Sequence, residues 1–560
     1  MSKRLVIAAL SAAFASSFTY AQTAQDLLRD GNGGSTDNVL TYGMGYHQQR
    51  YSPLKQVDRS TVKRLVPAWT LSLTNDLGEQ AQPLVYNGVL YVANVKRVVA
   101  VDIGTGRQLW NYDIEWDPAV ARVVCCGLSN RGVALYDGKV YVASLDAHLR
   151  ALDAKTGKEL WKTKVAEWKE GYSITSAPLV ANGVVMTGMT GGEYGVRGFV
   201  AGYDPQTGKE VWRRHMTMAP GEPGGDTWPK DDSYKRGGGA TWITGSYDPE
   251  LDLTYWGTSN GGPWGANWRP GDNLWVASVV AMRPKTGEIA WGYQWTPAET
   301  YDFDGVNENV LADINIGGQK RKVLMHADRN GFLYVLDRTN GKLIAGNAYV
   351  PVNWAKTPID PKTGRVEETD VARRLRAGEK VELQPRWTGG KNWFPMAFNP
   401  NTQRLYFPVK HETAIYQINK DLPAYKPGER YQGVTNTTAP RKPEEAWGYF
   451  AAFDPLTAKR PWQVPQTEFP MWSGSLVTGG GLVFSGKISG EFVAFDESSG
   501  KELWAFQTGS SVTSQPITYT YKGKQYVSVL SGIGGGTSAR RETDGKIQKG
   551  GSLWTFRLMD

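Results

Sequence analysis

Ala151-Leu-Asp153-Ala-Lys-Thr-Gly157-Lys-Glu-Leu-Trp161 is one copy of a sequence phrase that returns along this 560-residue chain. Close copies end at Trp110 and Trp212, so that three closing tryptophans are evenly spaced at 51 residues. More variable copies lie around Trp291, Gly341, Trp462 and Trp504, which makes at least seven. A repeat of this kind is examined before any other feature, because its period predicts the architecture.

Each copy has the same internal pattern. Alternating β-branched and aromatic residues, as in Val89–Ala93 and Val140–Ala143, precede an Asp-x-x-Thr-Gly-Lys turn in which Gly supplies the positive φ. A further strand then ends in Trp, which predicts an antiparallel sheet of about four strands. A period of about 40 to 50 residues with almost no helical periodicity predicts radial repetition of such sheets, with the Trp packed between neighbouring blades.

The two ends of the chain supply one more blade. We expect the segment near Trp69 and the C-terminal strand around Trp554 to pair and close the ring. The prediction is therefore an all-β, eight-bladed β-propeller formed as one domain by residues 22–560, with seven blades as the alternative. Tyr349–Gly390 and Lys420–Trp447 interrupt the repeat and are predicted to be loops that cross a face of the propeller.

The first 21 residues have the order of a secretory signal. Lys3 and Arg4 precede an apolar run, Leu5–Phe18, and Thr-Tyr-Ala21 follows it. We expect cleavage after Ala21 and a periplasmic location. A membrane anchor is the alternative, but the run is shorter than the roughly 20 residues that a span needs.

Charge and cysteine content exclude several classes. The chain has 63 Lys and Arg against 55 Asp and Glu, and these are spread through the repeats, so nucleic-acid binding is not expected. Two Cys cannot form a disulfide framework, and the five His never occur as Cys-x-x-Cys-His. No covalently attached haem is expected.

The two cysteines are consecutive. The α-carbons of Cys125 and Cys126 must lie about 3.8 Å apart, closer than in most disulfides. In an oxidising compartment we expect the pair to close and to offer a flat, polarisable surface to a planar ring. Two buried free thiols are the alternative.

Oxygen donors occur in short loops bounded by glycine. They are Glu193 in Thr190-Gly-Gly-Glu-Tyr-Gly, Asn260 in Thr258-Ser-Asn-Gly-Gly-Pro, and Asp302-Phe-Asp304. Oxygen ligands favour calcium-like ions. Each residue alone is more typical of an ordinary turn, and only their combination indicates a metal site.

Four motifs, in this order, resemble the pyrroloquinoline-quinone-dependent alcohol dehydrogenases, the quinoprotein methanol and ethanol dehydrogenases. They are Cys125-Cys-Gly-Leu-Ser-Asn-Arg-Gly-Val-Ala, Gly191-Gly-Glu-Tyr-Gly-Val-Arg-Gly, Tyr301-Asp-Phe-Asp-Gly-Val-Asn-Glu and Asp328-Arg-Asn-Gly-Phe-Leu-Tyr-Val-Leu-Asp-Arg. The resemblance covers almost the whole mature chain. It implies a quinone at the propeller centre, between the disulfide Cys125–Cys126 and Trp242.

The same resemblance implies further contacts to the quinone. Arginine suits the paired oxygens of its carboxylates and carbonyls. The matching residues are Arg131, Thr175, Thr241, Arg329, Asn392 and Trp472. The chain departs from the family where a Glu commonly stands three residues before a Pro: Gln80 occupies that place and Glu79 precedes it.

A metal ion is also implied, held by Glu193, Asn260 and Asp302, with Asp302 as the general base. Members that use calcium typically have a small residue such as Ala at the position of Asp304, whereas members that use a lanthanide resemble this chain. A lanthanide(III) ion is therefore expected, with Ca²⁺ as the alternative. Trp264 and Trp393 are expected to line the alcohol pocket.

Together these expectations describe an enzyme that oxidises primary alcohols to aldehydes. With no haem motif in the chain, a separate soluble cytochrome c is the expected electron acceptor, and a homodimer is weakly favoured. The alternative is a cofactor-free propeller that serves as a scaffold in envelope assembly, because the Trp repeat specifies only the fold. Such a scaffold would have no use for Cys125–Cys126 or Asp302-Phe-Asp304.

Overall fold

The structure is a computed structural model that describes residues 22–30, 35–442, 444–534 and 538–559. The predicted signal segment, residues 1–21, lies outside the described residues. Strands dominate, and they form nine sheets within the part of the chain that is described. No helix there is long and apolar enough to cross a membrane.

Eight sheets have four or five strands and follow one another along the chain. Sheet 1 contains Leu84–Tyr86, Val89–Ala93, Arg97–Asp102 and Gln108–Asp113; sheet 2 contains Ala134–Tyr136, Lys139–Ala143, His148–Asp153 and Glu159–Lys164; sheet 3 contains Leu179–Ala181, Val184–Thr187, Phe199–Tyr203 and Glu210–His215; sheet 4 contains Ser246–Asp248, Leu253–Gly257, Ser278–Met282 and Ile289–Gln294. Sheet 5 contains Val310–Ile316, Gln319–Ala327, Phe332–Asp337 and Leu343–Ala348; sheet 6 contains Ala397–Asn399, Arg404–Lys410, Gly448–Phe453 and Gln463–Gln466; sheet 7 contains Tyr51–Ser52, Leu476–Thr478, Leu482–Gly486, Glu491–Asp496 and Glu502–Gln507; sheet 8 contains Leu65–Ser72, Ile517–Tyr521, Lys524–Ser531 and Ser552–Leu558.

Helices are few and short in the described part of the chain. The α-helices are Ala24–Asp30, Asp370–Arg376 and Ser538–Glu542. The 3-10 helices are Val62–Arg64, Pro118–Arg122, Trp168–Glu170, Gly192–Tyr194, Gly225–Thr227, Ser233–Arg236 and Ala266–Trp268. Most of these lie in the connections between sheets.

Burial within a sheet follows the position of each strand. The middle strands of sheet 2 are buried at nearly every residue, as in Val140–Ala143, because both of their faces are covered. The outer strand Glu159–Lys164 alternates between half-buried and exposed residues. This difference is expected when sheets stack face to face and only their outer edges meet water.

The repeated Trp joins neighbouring sheets at six junctions through one type of hydrogen bond, and between sheets 4 and 5 Trp291 packs against Gly341. The indole of Trp110 donates to the carbonyl of Ala154 at 3.1 Å, and its ring lies so close to Gly157 that a Cβ there would be 2.6 Å from it. Gly157 also has a φ of +74°, so both the close Trp110 ring and the left-handed backbone favour glycine at this position. The same bond recurs from Trp69 to Ile103, Trp161 to Pro205, Trp212 to Pro284, Trp462 to Glu497 and Trp504 to Leu65.

The predicted closure by the chain ends is confirmed. Leu65–Ser72 pairs antiparallel with Ser552–Leu558, and Thr70 lies opposite Trp554. The bond from Trp504 in sheet 7 to Leu65 in sheet 8, and that from Trp69 in sheet 8 to Ile103 in sheet 1, join the sheet made by the two chain ends to both of its neighbours.

We predicted that the two interruptions of the repeat are loops, and this prediction was incomplete because both contain regular secondary structure. The first contains the helix Asp370–Arg376 and the strand Val381–Leu383, and the second contains the strand Val434–Thr438. Both strands pair with Ala414–Ile418 to form a ninth, three-stranded sheet. These short strands are stable because Ala414–Ile418 lies between them and supplies their hydrogen bonds. The local sequence pattern does not reveal such a partner.

Candidate active site

One cavity of about 580 Å³ brings most of the predicted site residues together. Its wall includes Gln80, Cys125, Cys126, Arg131, Thr175, Glu193, Trp242, Trp264, Asp302, Asp304, Arg329, Asn392, Trp393 and Trp472. These residues come from segments that are far apart in the chain, so the folding of the sheets assembles the site.

Cys125 and Cys126 form the predicted disulfide, with an S–S distance of 2.14 Å and α-carbons 3.8 Å apart. Their sulfur atoms lie within 4.8 Å of a carboxylate oxygen of Glu193. The guanidinium of Arg131 lies 5.1 Å from the ring centroid of Trp242. The disulfide, the indole and the cation thus line the same cavity.

Arg131 is a buried cation that no carboxylate neutralises among the described residues. It donates to the hydroxyl of Thr175 at 2.7 Å and also lies 4.8 Å from the ring centroid of Trp393. Burial lowers its pKa to about 10. An unpaired buried cation is costly, so this position favours an anionic ligand.

Arg329 reaches two carboxylates. It lies 2.9 Å from Asp304 and 3.6 Å from Asp302, and it donates to the backbone carbonyl of Asp302 at 3.2 Å. Asp304 also accepts from the indole of Trp242 at 3.2 Å and from the backbone N–H of Asn260 at 2.7 Å. Asp304 therefore connects the ring, the arginine and the Asn260 loop.

The carboxylates of this cluster are buried and repel one another. Burial, then the charge of Asp304, raises the pKa of Glu193 to about 7. The same two causes raise the pKa of Asp302 well above its usual range. Burial also raises the pKa of Asp304, and Arg329 opposes that rise. A cation is the missing partner of such a cluster.

Two oxygen atoms in the cluster have no hydrogen-bond partner among the described residues. They are Oδ1 of Asp302 and Oδ1 of Asn260, both buried. Gly192 permits the approach of Asn260 to Glu193, since a Cβ at Gly192 would lie 2.6 Å from Asn260 Oδ1. Unpaired carboxylate and amide oxygens beside a buried carboxylate are the donors that a hard cation requires, so the residues present fit a metal ion.

Comparison with known proteins agrees with this site. The family described as "Glucose/ethanol/alcohol dehydrogenase, beta-propeller domain", which depends on PQQ, matches residues 40–362 and 376–527. The quinoprotein alcohol dehydrogenase PedH of Pseudomonas putida is 41% identical over 95% of this chain and 93% of its own length. This chain belongs to the PQQ-dependent alcohol dehydrogenase family.

Two further relatives carry a metal in their names. The "Lanthanide-dependent methanol dehydrogenase" of Methylacidiphilum fumariolicum is 40% identical over 88% of this chain and 84% of its own length. A solved structure, "Europium-containing methanol dehydrogenase", has a TM-score of 0.89 and 36% identity and covers 95% of this chain and 100% of its own. The predicted all-β propeller is confirmed by this family, whose named relatives are oxidoreductases, so the alternative of a cofactor-free scaffold loses its support.

Among the residues at the predicted quinone site of this PQQ-dependent dehydrogenase, Gln80 and Glu79 have different surroundings. Gln80 lines the cavity. Glu79 is buried behind it, where Oε1 accepts from Asn75 at 2.8 Å and from Asn94 at 3.1 Å. The geometry therefore places Gln80, not Glu79, next to the cavity.

Two predicted residues do not lie on the cavity wall described above. Asn260 lies just behind the wall, beside Glu193 and Asp304. Thr241 is fully buried, and its hydroxyl donates to the carbonyl of Phe199 at 2.7 Å and accepts from the amide of Met189 at 3.3 Å. Its side chain is thus occupied by backbone groups, a direction that the motif alone could not reveal.

Several residues of the cavity wall were not predicted from the sequence. The additional wall residues include Thr190, Arg386, Trp387, Glu412, Arg430, Gln432 and Glu542. Arg430 and Gln432 lie in the segment predicted to cross a face, and that prediction was the available signal. Glu542 accepts from the indole of Trp472 and pairs with Lys410 at 2.6 Å, contacts that no local pattern indicates.

Proposed function

We propose that this protein is a periplasmic PQQ-dependent alcohol dehydrogenase that oxidises primary alcohols to aldehydes. The observation that carries the proposal is the buried cluster of Glu193, Asp302 and Asp304 in the same cavity as the Cys125–Cys126 disulfide. Named relatives that are quinoprotein alcohol dehydrogenases support it.

When bound, the quinone would supply a two-electron hydride acceptor, and the metal ion would supply a Lewis acid. Asp302 would act as the general base that takes the proton from the hydroxyl of the alcohol. Asp302 suits the role because Arg329, 3.6 Å away, and a bound metal ion would both favour its ionised, proton-accepting form. Trp264 and Trp393 would exclude water and contact the carbon chain of the alcohol.

Glu193, Asn260, Asp302 and Asp304 would hold the metal ion, and we propose a lanthanide(III), with Ca²⁺ as the alternative. Against a divalent ion, three buried carboxylates leave negative charge uncompensated, and a buried unpaired charge is costly. A trivalent ion balances all three and is the stronger Lewis acid. The printed names of two relatives, one lanthanide-dependent and one europium-containing, support this choice.

Cofactor binding would use the remaining predicted residues. Arg131 and Arg329 would bind carboxylate or carbonyl oxygens of the quinone, with the ring between the Cys125–Cys126 disulfide and Trp242. Thr175, Asn392, Trp472 and Gln80 line the same space and complete the binding surface.

The finer features of assembly are also part of the proposal. We infer that the eight sheets of four or five strands are the eight blades of the propeller, since they follow one another along the chain and the sheet made by the two chain ends is joined to the first and the seventh. Electrons would leave singly to a separate soluble cytochrome c. A homodimer is the proposed oligomeric state.

Reconstitution tests this function. The purified protein is incubated with the quinone and either calcium or lanthanum at equal concentration, and absorbance and dye-linked oxidation of ethanol are measured. We expect a quinone spectrum and activity that is higher with lanthanum, with samples lacking quinone or metal as controls. No quinone binding and no activity with any primary alcohol would refute the proposal, and higher activity with calcium would refute the choice of metal.

A further inference from the structure

Glu299 is a fully buried carboxylate that the proposed mechanism does not use. Its Oε1 accepts from the backbone N–H groups of Tyr301 at 2.6 Å and Phe303 at 2.9 Å. Its Oε2 accepts from the backbone N–H of Gly261 at 3.2 Å. One side chain thus connects two separate loops of the chain.

These loops are the ones that present candidate metal ligands. Tyr301 and Phe303 flank Asp302, whose backbone has a φ of +65°, an uncommon conformation for a residue other than glycine. Gly261 directly follows Asn260. Asp302 and Asn260 have the two unpaired Oδ1 atoms, so Glu299 binds the backbone beside both of them.

The buried cation Arg269 holds the loop that follows Asn260. Arg269 donates to the carbonyls of Pro263 at 2.9 Å and Trp264 at 3.1 Å, and also to the backbone carbonyl of Glu299. Its guanidinium packs where a side chain at Gly261 would be, since a Cβ there would lie 2.0 Å away. The Asn260–Trp264 loop is thus held by Arg269 at its end and by Glu299 at Gly261.

We infer that Glu299 is a positioning residue that sets the separation of Asn260 and Asp302 and thereby the affinity of the site for its metal ion. The inference rests on the proposed function, because it assumes that these oxygens bind the ion. Glu299 is absent from the cavity wall and offers both of its oxygens to backbone groups, so it acts through the ligands. Residues of this kind change metal affinity about 10- to 100-fold when replaced.

Two substitutions separate the parts of this role. In Glu299→Gln, Oε1 still accepts from the Asp302 loop, but the amide nitrogen faces the N–H of Gly261, and two donors cannot bond. In Glu299→Asp, the charge remains, but the side chain is one methylene shorter and cannot reach both loops at their present separation. Both variants are expected to weaken metal binding at least tenfold.

The matched control is Glu497→Gln. Glu497 is also buried and accepts from Asn399 at 2.7 Å, Thr402 at 2.9 Å and Tyr406 at 2.7 Å, but it lies outside the cavity wall. Its replacement should leave metal affinity unchanged, whatever it does to the melting temperature. It therefore measures what the loss of a buried carboxylate charge away from the site does.

Terbium(III) is the probe, because Trp242 and Trp264 line the cavity and can sensitise its emission. Each protein is titrated with terbium chloride, and its melting temperature is measured in parallel. Weaker terbium binding in the Glu299 variants than in Glu497→Gln at comparable melting temperature is the expected result; if the Gln variant does not fold, the Asp variant decides. Unchanged binding in folded Glu299 variants would overturn this inference alone, whereas no binding by the unsubstituted protein would overturn it together with the proposed metal site.

Discussion

Replacing Glu79 with Gln is expected to remove a strong dependence of stability on pH. Glu79 is buried beneath the cavity, where a Cβ at Gly532 would lie 2.7 Å from its Cγ, and its Oε2 has no hydrogen-bond partner among the described residues. Burial raises its pKa from 4.5 to about 8. The folded protein therefore keeps a proton on Glu79 that the unfolded chain releases above pH 4.5.

The sign and size follow from this difference. Below pH 4.5 both states are protonated and Glu79 makes no contribution to the pH dependence. Between pH 4.5 and 8 the unfolded chain binds fewer protons, so the free energy of unfolding falls as the pH rises. The loss approaches about 3 kcal/mol at pH 7 and on the order of 5 kcal/mol above pH 8, at about 1.4 kcal/mol for each unit of pKa.

Urea unfolding at pH 5, 7 and 8.5 measures the effect in the unsubstituted protein and in Glu79→Gln. The Gln side chain keeps the acceptor for Asn75 and Asn94 and cannot ionise, so the variant should gain stability relative to the parent as the pH rises. A constant difference between the two proteins at all three values would refute the reasoning. Because Gln80 lines the cavity and Glu79 does not, quinone binding by Glu79→Gln should be unchanged, and its loss would show that Glu79 is the contact.

Three further predictions concern the base, the ion and the repeat. Asp302→Asn should lower dye-linked turnover by about 100-fold or more, since it removes a general base; activity close to that of the parent would contradict that role. Asp304→Ala should lower lanthanide-supported turnover far more than it changes the melting temperature, and unchanged turnover would refute its assignment as a ligand. Gly157 and Gly523 both have a φ of +74°, so Gly157→Ala and Gly523→Ala should each lower the free energy of unfolding by about 1–2 kcal/mol through backbone strain. Only a Cβ at position 157 would meet the Trp110 ring, 2.6 Å away, so Gly157→Ala should lose about 1–3 kcal/mol more in urea unfolding. Equal losses would contradict the docking of Trp against glycine.

The features that the sequence predicted well are those determined by local chemistry or by the number of repeat copies. The Asp-x-x-Thr-Gly turn before each Trp specifies a tight turn and a docking position within one copy of the repeat. The pairing of the chain ends followed because one copy would otherwise lack strands. Cys125 and Cys126 could be assigned as a pair because no other cysteine exists.

Features that depend on distant contacts were missed. The strand Val434–Thr438 is stable because Ala414–Ile418 lies beside it, and nothing in its own pattern identifies that partner. Thr241 was placed near the quinone by its motif, but the direction of its side chain depends on Phe199, which is 42 residues away. Glu299 has no motif of its own, and its importance is visible only when the bonds to both loops are known.

The charges of the cavity connect the predicted quinone residues with the predicted metal residues. Within 4.0 Å of Asp302 or Asp304, Arg329 is the one cation among the described residues, so in this structure it neutralises carboxylates. A metal ion at the same carboxylates would take over that task, and Arg329 would be free to bind an anionic quinone, as its motif predicts. The quinone brings carboxylates of its own, so Arg131 and Arg329 together cannot also balance Glu193, Asp302 and Asp304. Under the proposed function, in which Arg329 turns to the quinone, a trivalent ion would supply the charge that the arginines cannot.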